Sequence, residues 1–146
     1  MRVIALTGGI ATGKSTAGKM ISRLLPTSAF FDCDESVQEL LQQRDVLEEI
    51  SEALERPVIM SDGSLDRAGL RKLVFENEIS RTKLEAILHP KVRKECLEKL
   101  DFYSKTSSTT LFVADVPLLF ESGFDFGQEL NLVVATSQAT QRIRLK

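Results

Sequence analysis

Residues 8 to 15 have the spacing of a phosphate-binding loop. The segment reads GGIATGKS from Gly8 to Ser15 and fits the pattern G-x-x-x-x-G-K-[ST] in full. In such a loop the glycines let backbone N–H groups approach a phosphate, the lysine reaches the β- and γ-phosphates, and the serine hydroxyl holds Mg²⁺. The pattern predicts binding of ATP or GTP, and its alternative is a tight strand-to-helix turn without a ligand. The predicted nucleotide-binding residues are Gly8, Gly9, Ala11, Thr12, Gly13, Lys14, Ser15 and Thr16.

Three acidic residues follow apolar runs and form the second group of candidates. Asp115 ends a strongly apolar run, where its carboxylate can orient Mg²⁺ or the waters around it. Asp32 and Asp34 follow another run, so one carboxylate can take a proton from an attacking hydroxyl while the other fixes geometry or metal. The alternatives are an ion pair at the end of a strand for Asp115 and an Asx turn that caps the next helix for the other two. The local pattern leaves both pairs of interpretations open.

Other reactive side chains are isolated in the sequence. His89, the only histidine, can act in acid–base chemistry or simply lie at a helix end. Arg142 and Arg144 can contact phosphates or form a solvated helix face. Cys33 and Cys96 match no metal-ligand spacing and are predicted to be plain thiols in a reducing cytoplasm.

Composition and charge narrow the class of protein. The 146 residues are 42% hydrophobic and 27% charged, which predicts one globular domain. The net charge of -2 comes from intermixed acidic and basic residues, so we expect neither nucleic acid nor a membrane surface as partner. The sequence contains no signal peptide and no apolar run long enough to span a bilayer, which favours a cytoplasmic location.

Strands and helices alternate along the chain in the positions needed to hold these candidates. Apolar runs predict strands at 2–7, 28–32, 110–116 and 130–135, the last two of the kind buried on both faces. Helical spacing predicts a helix over 15–25 and two helices within 35–55 that are broken near 43–45. Further helices are predicted to begin at the N-caps Asp66 and Ser80, with an interruption at His89-Pro90. Two more are predicted, one at 92–100 and a last one from Ser137. This alternation predicts an α/β fold with a parallel, doubly wound sheet and ligands at the carboxyl ends of its strands.

Four segments, in this order, resemble the dephospho-CoA kinase family. They are LTGGIATGKST from Leu6 to Thr16, DCD from Asp32 to Asp34, HPKV from His89 to Val92 and DVPLLFE from Asp115 to Glu121. The resemblance covers all 146 residues. It implies a P-loop NTPase fold, three-layer α/β/α, related to the nucleoside monophosphate kinases. Residues 1–146 would form one kinase domain, with its core at 1–61 and 106–146 and a helical substrate-binding region at 62–105.

The resemblance also implies an activity and roles for residues. The reaction is transfer of the γ-phosphate of ATP to the ribose 3′-hydroxyl of dephospho-CoA, the final step of coenzyme A synthesis, with Mg²⁺ and a monomeric enzyme. Motif matching makes Asp34 the base for the 3′-hydroxyl, with Lys14 and Arg142 as further catalytic residues. The implied substrate-binding residues are Asp32, His89, Asp115, Leu118 and Glu121, and the implied metal-binding residues are Ser15 and Asp115.

The sequence departs from the family pattern at a few places. Ala11-Thr12 replaces the common Gly-Ser and Cys33 replaces the usual Ala, neither of which threatens phosphate binding. Family members continue further, so we expect a C-terminally truncated chain without the basic lid and last strand. The alternatives are another small-molecule or nucleoside monophosphate kinase, a nucleotide-binding fragment without activity, and a nucleotide-dependent switch, for which no N-K-x-D motif is found.

Overall fold

The computed structural model describes residues 1–8, 13–106, 108–117 and 124–134. The strands in these residues are β1 (Arg2–Gly8), β2 (Ser28–Asp32), β3 (Leu111–Asp115) and β4 (Leu130–Val134). The helices are α1 (Lys14–Leu24), α2 (Cys33–Leu40), α3 (Arg44–Leu54), α4 (Arg67–Glu76) and α5 (Glu78–Ser104). The helix predicted from Ser137 lies outside the described residues. No helix in the described part of the chain is both long and apolar enough to cross a membrane.

The chain divides into two compact units. One unit consists of Met1–Asp34 and Arg93–Lys146 and contains the four strands. The other is Glu35–Val92, which is helical apart from a turn closed by the bridge between Ile59 and Leu65. The prediction of one kinase domain with a helical region at 62–105 stays a prediction.

The strands of the first unit form one parallel sheet. Its order is β2-β3-β1-β4, and each neighbouring pair is parallel. The parallel neighbours β2 and β3 need a crossover connection, which the long stretch from α2 to α5 supplies. Helix α1 connects β1 to β2, which lie on either side of β3. The predicted α/β fold with a parallel sheet is confirmed.

The central strand β3 and the outer strand β4 differ in burial. Phe112, Val113 and Ala114 of β3 are completely buried, and because successive side chains point to opposite faces, both faces of β3 are covered, as predicted. The same expectation for residues 130–135 is wrong, since Leu130 and Val133 are 59% and 55% exposed. The reason is position: in the described sheet β4 pairs only with β1 and forms an edge.

Several local predictions agree with the helices. The apolar spacing of residues 35–55 does correspond to two helices, α2 and α3, with the break at 41–43. The N-cap at Asp66 is confirmed, since its Oδ1 accepts a hydrogen bond of 3.0 Å from the Gly69 amide.

The predicted cap at Ser80 and the break at Pro90 are wrong. Asn77 caps α5 instead, because its Oδ1 accepts hydrogen bonds from the amides of Ile79 and Ser80. The helix then continues through Pro90 to Ser104. Proline removes one intrahelical hydrogen bond and crowds the preceding turn. Leu88, Val92 and Cys96 are buried and recur every four residues, so they form one apolar stripe that continues past Pro90. Burial of these side chains offsets the free-energy cost of a proline inside the helix.

Candidate active site

Two carboxylates lie side by side at the carboxyl ends of neighbouring strands. In the sheet register, Asp32 of β2 is paired with Asp115 of β3, and Asp115 with Leu6 of β1. Paired residues of adjacent strands point to the same face of the sheet. That face carries α1, because a Cβ added to Gly18 would lie 3.6 Å from the Leu6 side chain. Both carboxylates therefore share a sheet face with the helix that begins at Lys14.

The start of α1 has the features of an anion site. Gly13 has φ 90°, a left-handed conformation that a glycine adopts without strain. As the N-cap it supplies no side-chain hydrogen bond to the helix, and the first turn carries no acidic residue. Ser15 and Thr16 are exposed there. The first amides of α1 and the positive end of its dipole are thus available to a phosphate.

Lys14 forms an ion pair with Asp115 across this edge of the sheet. Lys14 Nζ lies 2.7 Å from Asp115 Oδ1, and the two side chains are only 17% and 27% exposed. In the chain without a ligand, Asp115 therefore forms an ion pair at the end of its strand, which was the structural alternative for this residue. A bound phosphate would compete with Asp115 for the same ammonium group.

Asp34 lies beside this pair in an environment that favours its protonated form. Burial raises the pKa of Asp34, the neighbouring charges of Asp32 and Asp115 raise it further, and Lys14 acts in the opposite direction. A raised pKa makes the carboxylate a stronger base.

Asp32 has a structural task at the same place. Its Oδ1 accepts a hydrogen bond of 2.9 Å from the backbone amide of Asp34. This is the contact expected of an Asx turn at the start of α2. The turn fixes the backbone from which the Asp34 side chain extends, so the Asx-turn interpretation is confirmed for Asp32, while the role of Asp34 as a base stays a prediction.

The two cysteines are buried thiols. Burial raises the pKa of Cys33 far above its ordinary range, and the nearby Asp115 and Asp32 add to the effect. Burial raises the pKa of Cys96 to about 12, with Arg93 opposing. Thiols in this state are neither nucleophiles nor metal ligands at neutral pH.

The donors suited to Mg²⁺ at this site are oxygen atoms. No group of three or more His, Cys, Asp or Glu side chains able to hold a metal occurs in the described ranges. Magnesium is commonly bound by one or two protein oxygens together with phosphates and water. The Ser15 hydroxyl and the Asp115 carboxylate fit that pattern, so the residues present are compatible with Mg²⁺ that arrives with a nucleotide.

The structure brings together only some of the predicted site residues. Lys14, Asp32, Asp34 and Asp115 interact within the first unit. His89 lies on α5 in the unit Glu35–Val92, where burial lowers its pKa and Glu85 opposes the shift. The predicted residues outside the described ranges are Gly9, Ala11, Thr12, Leu118, Glu121 and Arg142.

Two polar residues that the sequence does not single out lie beside β1. Gln128 and Asn131 line a small cavity with Thr7. No motif marks them, because their closeness to Thr7 arises from the pairing of β1 with β4. The only available signal was an asparagine inside an otherwise apolar strand.

Comparison with known proteins identifies the family. The family model described as dephospho-CoA kinase matches residues 2–145. A dephospho-CoA kinase of Symbiobacterium thermophilum is 41% identical over 99% of this chain and 60% of its own length. One from Fusobacterium nucleatum is 38% identical over 98% of this chain and 71% of its own length. The chain thus spans 60% of the first relative and 71% of the second.

Solved structures are similar in fold. A crystal structure of a Thermus thermophilus protein matches 99% of this chain and 70% of its own, with a TM-score of 0.77 and 28% identity. A dephospho-CoA kinase from Campylobacter jejuni matches with a TM-score of 0.66 at 20% identity, over 99% of this chain and 94% of its own. The fold is that of the P-loop NTPases. With the family model covering nearly every residue, the chain belongs to the dephospho-CoA kinase family.

Proposed function

We propose that this protein transfers the γ-phosphate of ATP to the ribose 3′-hydroxyl of dephospho-CoA, giving coenzyme A and ADP, the final step of coenzyme A synthesis. The proposal rests on the arrangement of Lys14, Asp115 and Asp34 at the carboxyl ends of the strands. The chain that carries this arrangement belongs to the dephospho-CoA kinase family. Phosphoryl transfer needs mainly positioning and neutralisation of charge, which these groups can supply.

The donor side would be the loop and the start of α1. The amides of residues 8–16 hold the phosphates, and Lys14 moves from Asp115 to the β- and γ-phosphates. Mg²⁺ would be held by Ser15 and Asp115 and would neutralise phosphate charge. Arg142 would neutralise the transferred phosphate.

The acceptor side would centre on Asp34. Its raised pKa favours acceptance of the proton from the 3′-hydroxyl as that oxygen attacks phosphorus. Asp32 positions Asp34 through the hydrogen bond to its backbone amide. His89, Leu118 and Glu121 would bind the remainder of dephospho-CoA. The protein would act in the cytoplasm as a monomer, without nucleic acid or membrane as partner.

Turnover with different acceptors tests the substrate. The purified chain is incubated with ATP, Mg²⁺ and either dephospho-CoA, adenylate or shikimate, and ADP and the phosphorylated product are measured by mass spectrometry. We expect acceptor-dependent ADP release only with dephospho-CoA. Equal or greater turnover with another acceptor would assign a different kinase activity, and nucleotide binding by calorimetry without any turnover would indicate a binding fragment.

Matched variants test the roles. Asp34→Asn should lower kcat by at least about 100-fold, the usual size of a general-base contribution, while nucleotide affinity stays the same. Lys14→Met should weaken nucleotide binding as well. Asp101→Asn is the control, because it also removes one negative charge but affects only an exposed ion pair with Lys105. Full turnover by Asp34→Asn at saturating substrate would refute the assignment of the base.

A further inference from the structure

A buried hydroxyl lies at the end of β1, immediately before the phosphate-binding loop. Thr7 is 1% exposed, and its Oγ1 has no hydrogen-bond partner among the residues that the structure describes. Buried side-chain hydroxyls in folded proteins almost always have a partner, because an unsatisfied one is costly. We therefore expect a hydrogen-bond partner for the Thr7 hydroxyl close to this side chain.

A small cavity adjoins Thr7. Its volume is about 10 Å³, which is close to the space that one water molecule needs. The cavity is lined by Ala5, Thr7, Val116, Phe124, Gln128 and Asn131. Three of these residues, Thr7, Gln128 and Asn131, have polar side chains that can bond to water, and Asn131 is also exposed to solvent.

The register of the sheet explains why there is a cavity beside Thr7. Ala5 is paired with Asn131, and Thr7 with Val133, so Asn131 is the diagonal neighbour of Thr7 on one face. Strand spacing and rise place such diagonal Cα atoms roughly 8 Å apart. The methyl group of Ala5 is too small to fill the space between the two polar side chains. Two hydrogen bonds of ~2.8 Å each, made by the oxygen atom of one bridging molecule, are long enough to connect the side chains of Thr7 and Asn131.

The amide groups in the cavity wall have hydrogen-bonding capacity left. Gln128 Oε1 accepts a hydrogen bond from the Phe126 amide at 3.1 Å, and Gln128 Nε2 donates to Asn131 Oδ1 at 3.3 Å. Each side-chain amide has two N–H donors. One donor of Gln128 and both donors of Asn131 are not used in these two bonds. A water molecule needs two to four such partners.

We propose that this cavity is a binding site for one ordered water molecule that bridges Thr7 to Asn131. The water accepts a hydrogen bond from the Thr7 hydroxyl and another from the Asn131 amide, with Gln128 as a third neighbour. It satisfies the buried hydroxyl and connects β1 to β4 next to Gly8. The site is independent of the proposed kinase activity.

A crystal structure of the full chain, at a resolution that shows ordered water, tests the site directly. We expect one density peak within hydrogen-bond distance of both Thr7 Oγ1 and an Asn131 amide atom. A cavity without density, or a side chain of the protein bonded directly to Thr7 Oγ1, would overturn the proposal.

Thr7→Val tests it in solution, because valine keeps the shape and removes the hydroxyl. If water bridges Thr7, the variant loses those hydrogen bonds and its Tm falls by a few degrees. If the hydroxyl has no partner, the substitution removes a buried polar group and Tm stays the same or rises. In a double-mutant cycle with Asn131→Ala, a shared water makes the two Tm changes non-additive. Additive changes would contradict the bridge.

Discussion

Asp115→Asn should strengthen nucleotide binding in the absence of Mg²⁺, although it removes a residue of the proposed metal site. In the ligand-free chain Lys14 Nζ is bound to Asp115 Oδ1 at 2.7 Å. A phosphate can reach this ammonium only when the ion pair opens. Without the carboxylate, Lys14 is free to bind phosphate, and the repulsion between Asp115 and the nucleotide is also removed.

The structure sets the magnitude. For unit charges 2.7 Å apart, Coulomb's law gives about 1.5 kcal/mol at a dielectric constant of ~80 and about 6 kcal/mol at ~20. The side chains are partly exposed, so desolvation and screening remove most of the larger value. A net contribution of about 1–2 kcal/mol remains, equivalent to a factor of about 5–30 in an equilibrium constant.

Calorimetric titration of ATP in EDTA measures the effect. We expect Kd for Asp115→Asn to be about 5–30-fold lower than for the wild type, and Kd for the control Asp101→Asn to be unchanged. With Mg²⁺ present, turnover by Asp115→Asn should fall, because an oxygen ligand of the metal is weakened. A Kd in EDTA equal to or higher than that of the wild type would refute competition between Asp115 and phosphate.

Three further predictions concern stability and reactivity. Asp34→Asn should raise the free energy of unfolding at neutral pH, as measured in urea. The folded pKa of Asp34 lies above its ordinary value of 3.8, so the wild type loses stability as pH rises through this interval and the variant does not; equal pH profiles would contradict this. Asp66→Ala should lower the free energy of unfolding by about 1 kcal/mol through loss of the α4 cap, and Asp66→Asn should retain most of it; an equal loss in both variants would speak against the cap. Cys33 and Cys96 should resist iodoacetamide in the native protein and react in urea, as followed by mass spectrometry; rapid alkylation of either thiol in the folded chain would contradict their burial.

Elements set by local pattern were predictable from the sequence. The strand at Ser28–Asp32 was predicted at its observed bounds, because a short apolar run between a proline turn and an acidic pair leaves little choice. The cap at Asp66 was predictable for a similar reason, since its contact is with an amide three residues away. Such features depend on neighbours along the chain.

Other elements could not be predicted, because the sequence pattern does not show which of two competing local structures or packing effects prevails. Ser80 and Asn77 are both good N-cap residues, and the helix begins at the earlier one, which buries Ser80 inside α5. Pro90 is a helix breaker by propensity, and the buried stripe on either side of it overrides that propensity. The exposure of β4 depends on which strands flank it rather than on its own apolar residues.

The amino-acid sequence alone is enough to predict the kind of chemistry, because eight contiguous residues from Gly8 to Ser15 contain nearly everything a phosphate-binding loop requires. It also supplied Asp34 and Asp115 as candidates, without deciding between their chemical and structural interpretations. The folded structure was needed to show that Lys14 is paired with Asp115 in the ligand-free chain and that burial and neighbouring charges raise the pKa of Asp34. Coulomb interactions and desolvation depend on distances and burial in space, and parallel strand pairing creates both between residues that are far apart in the chain.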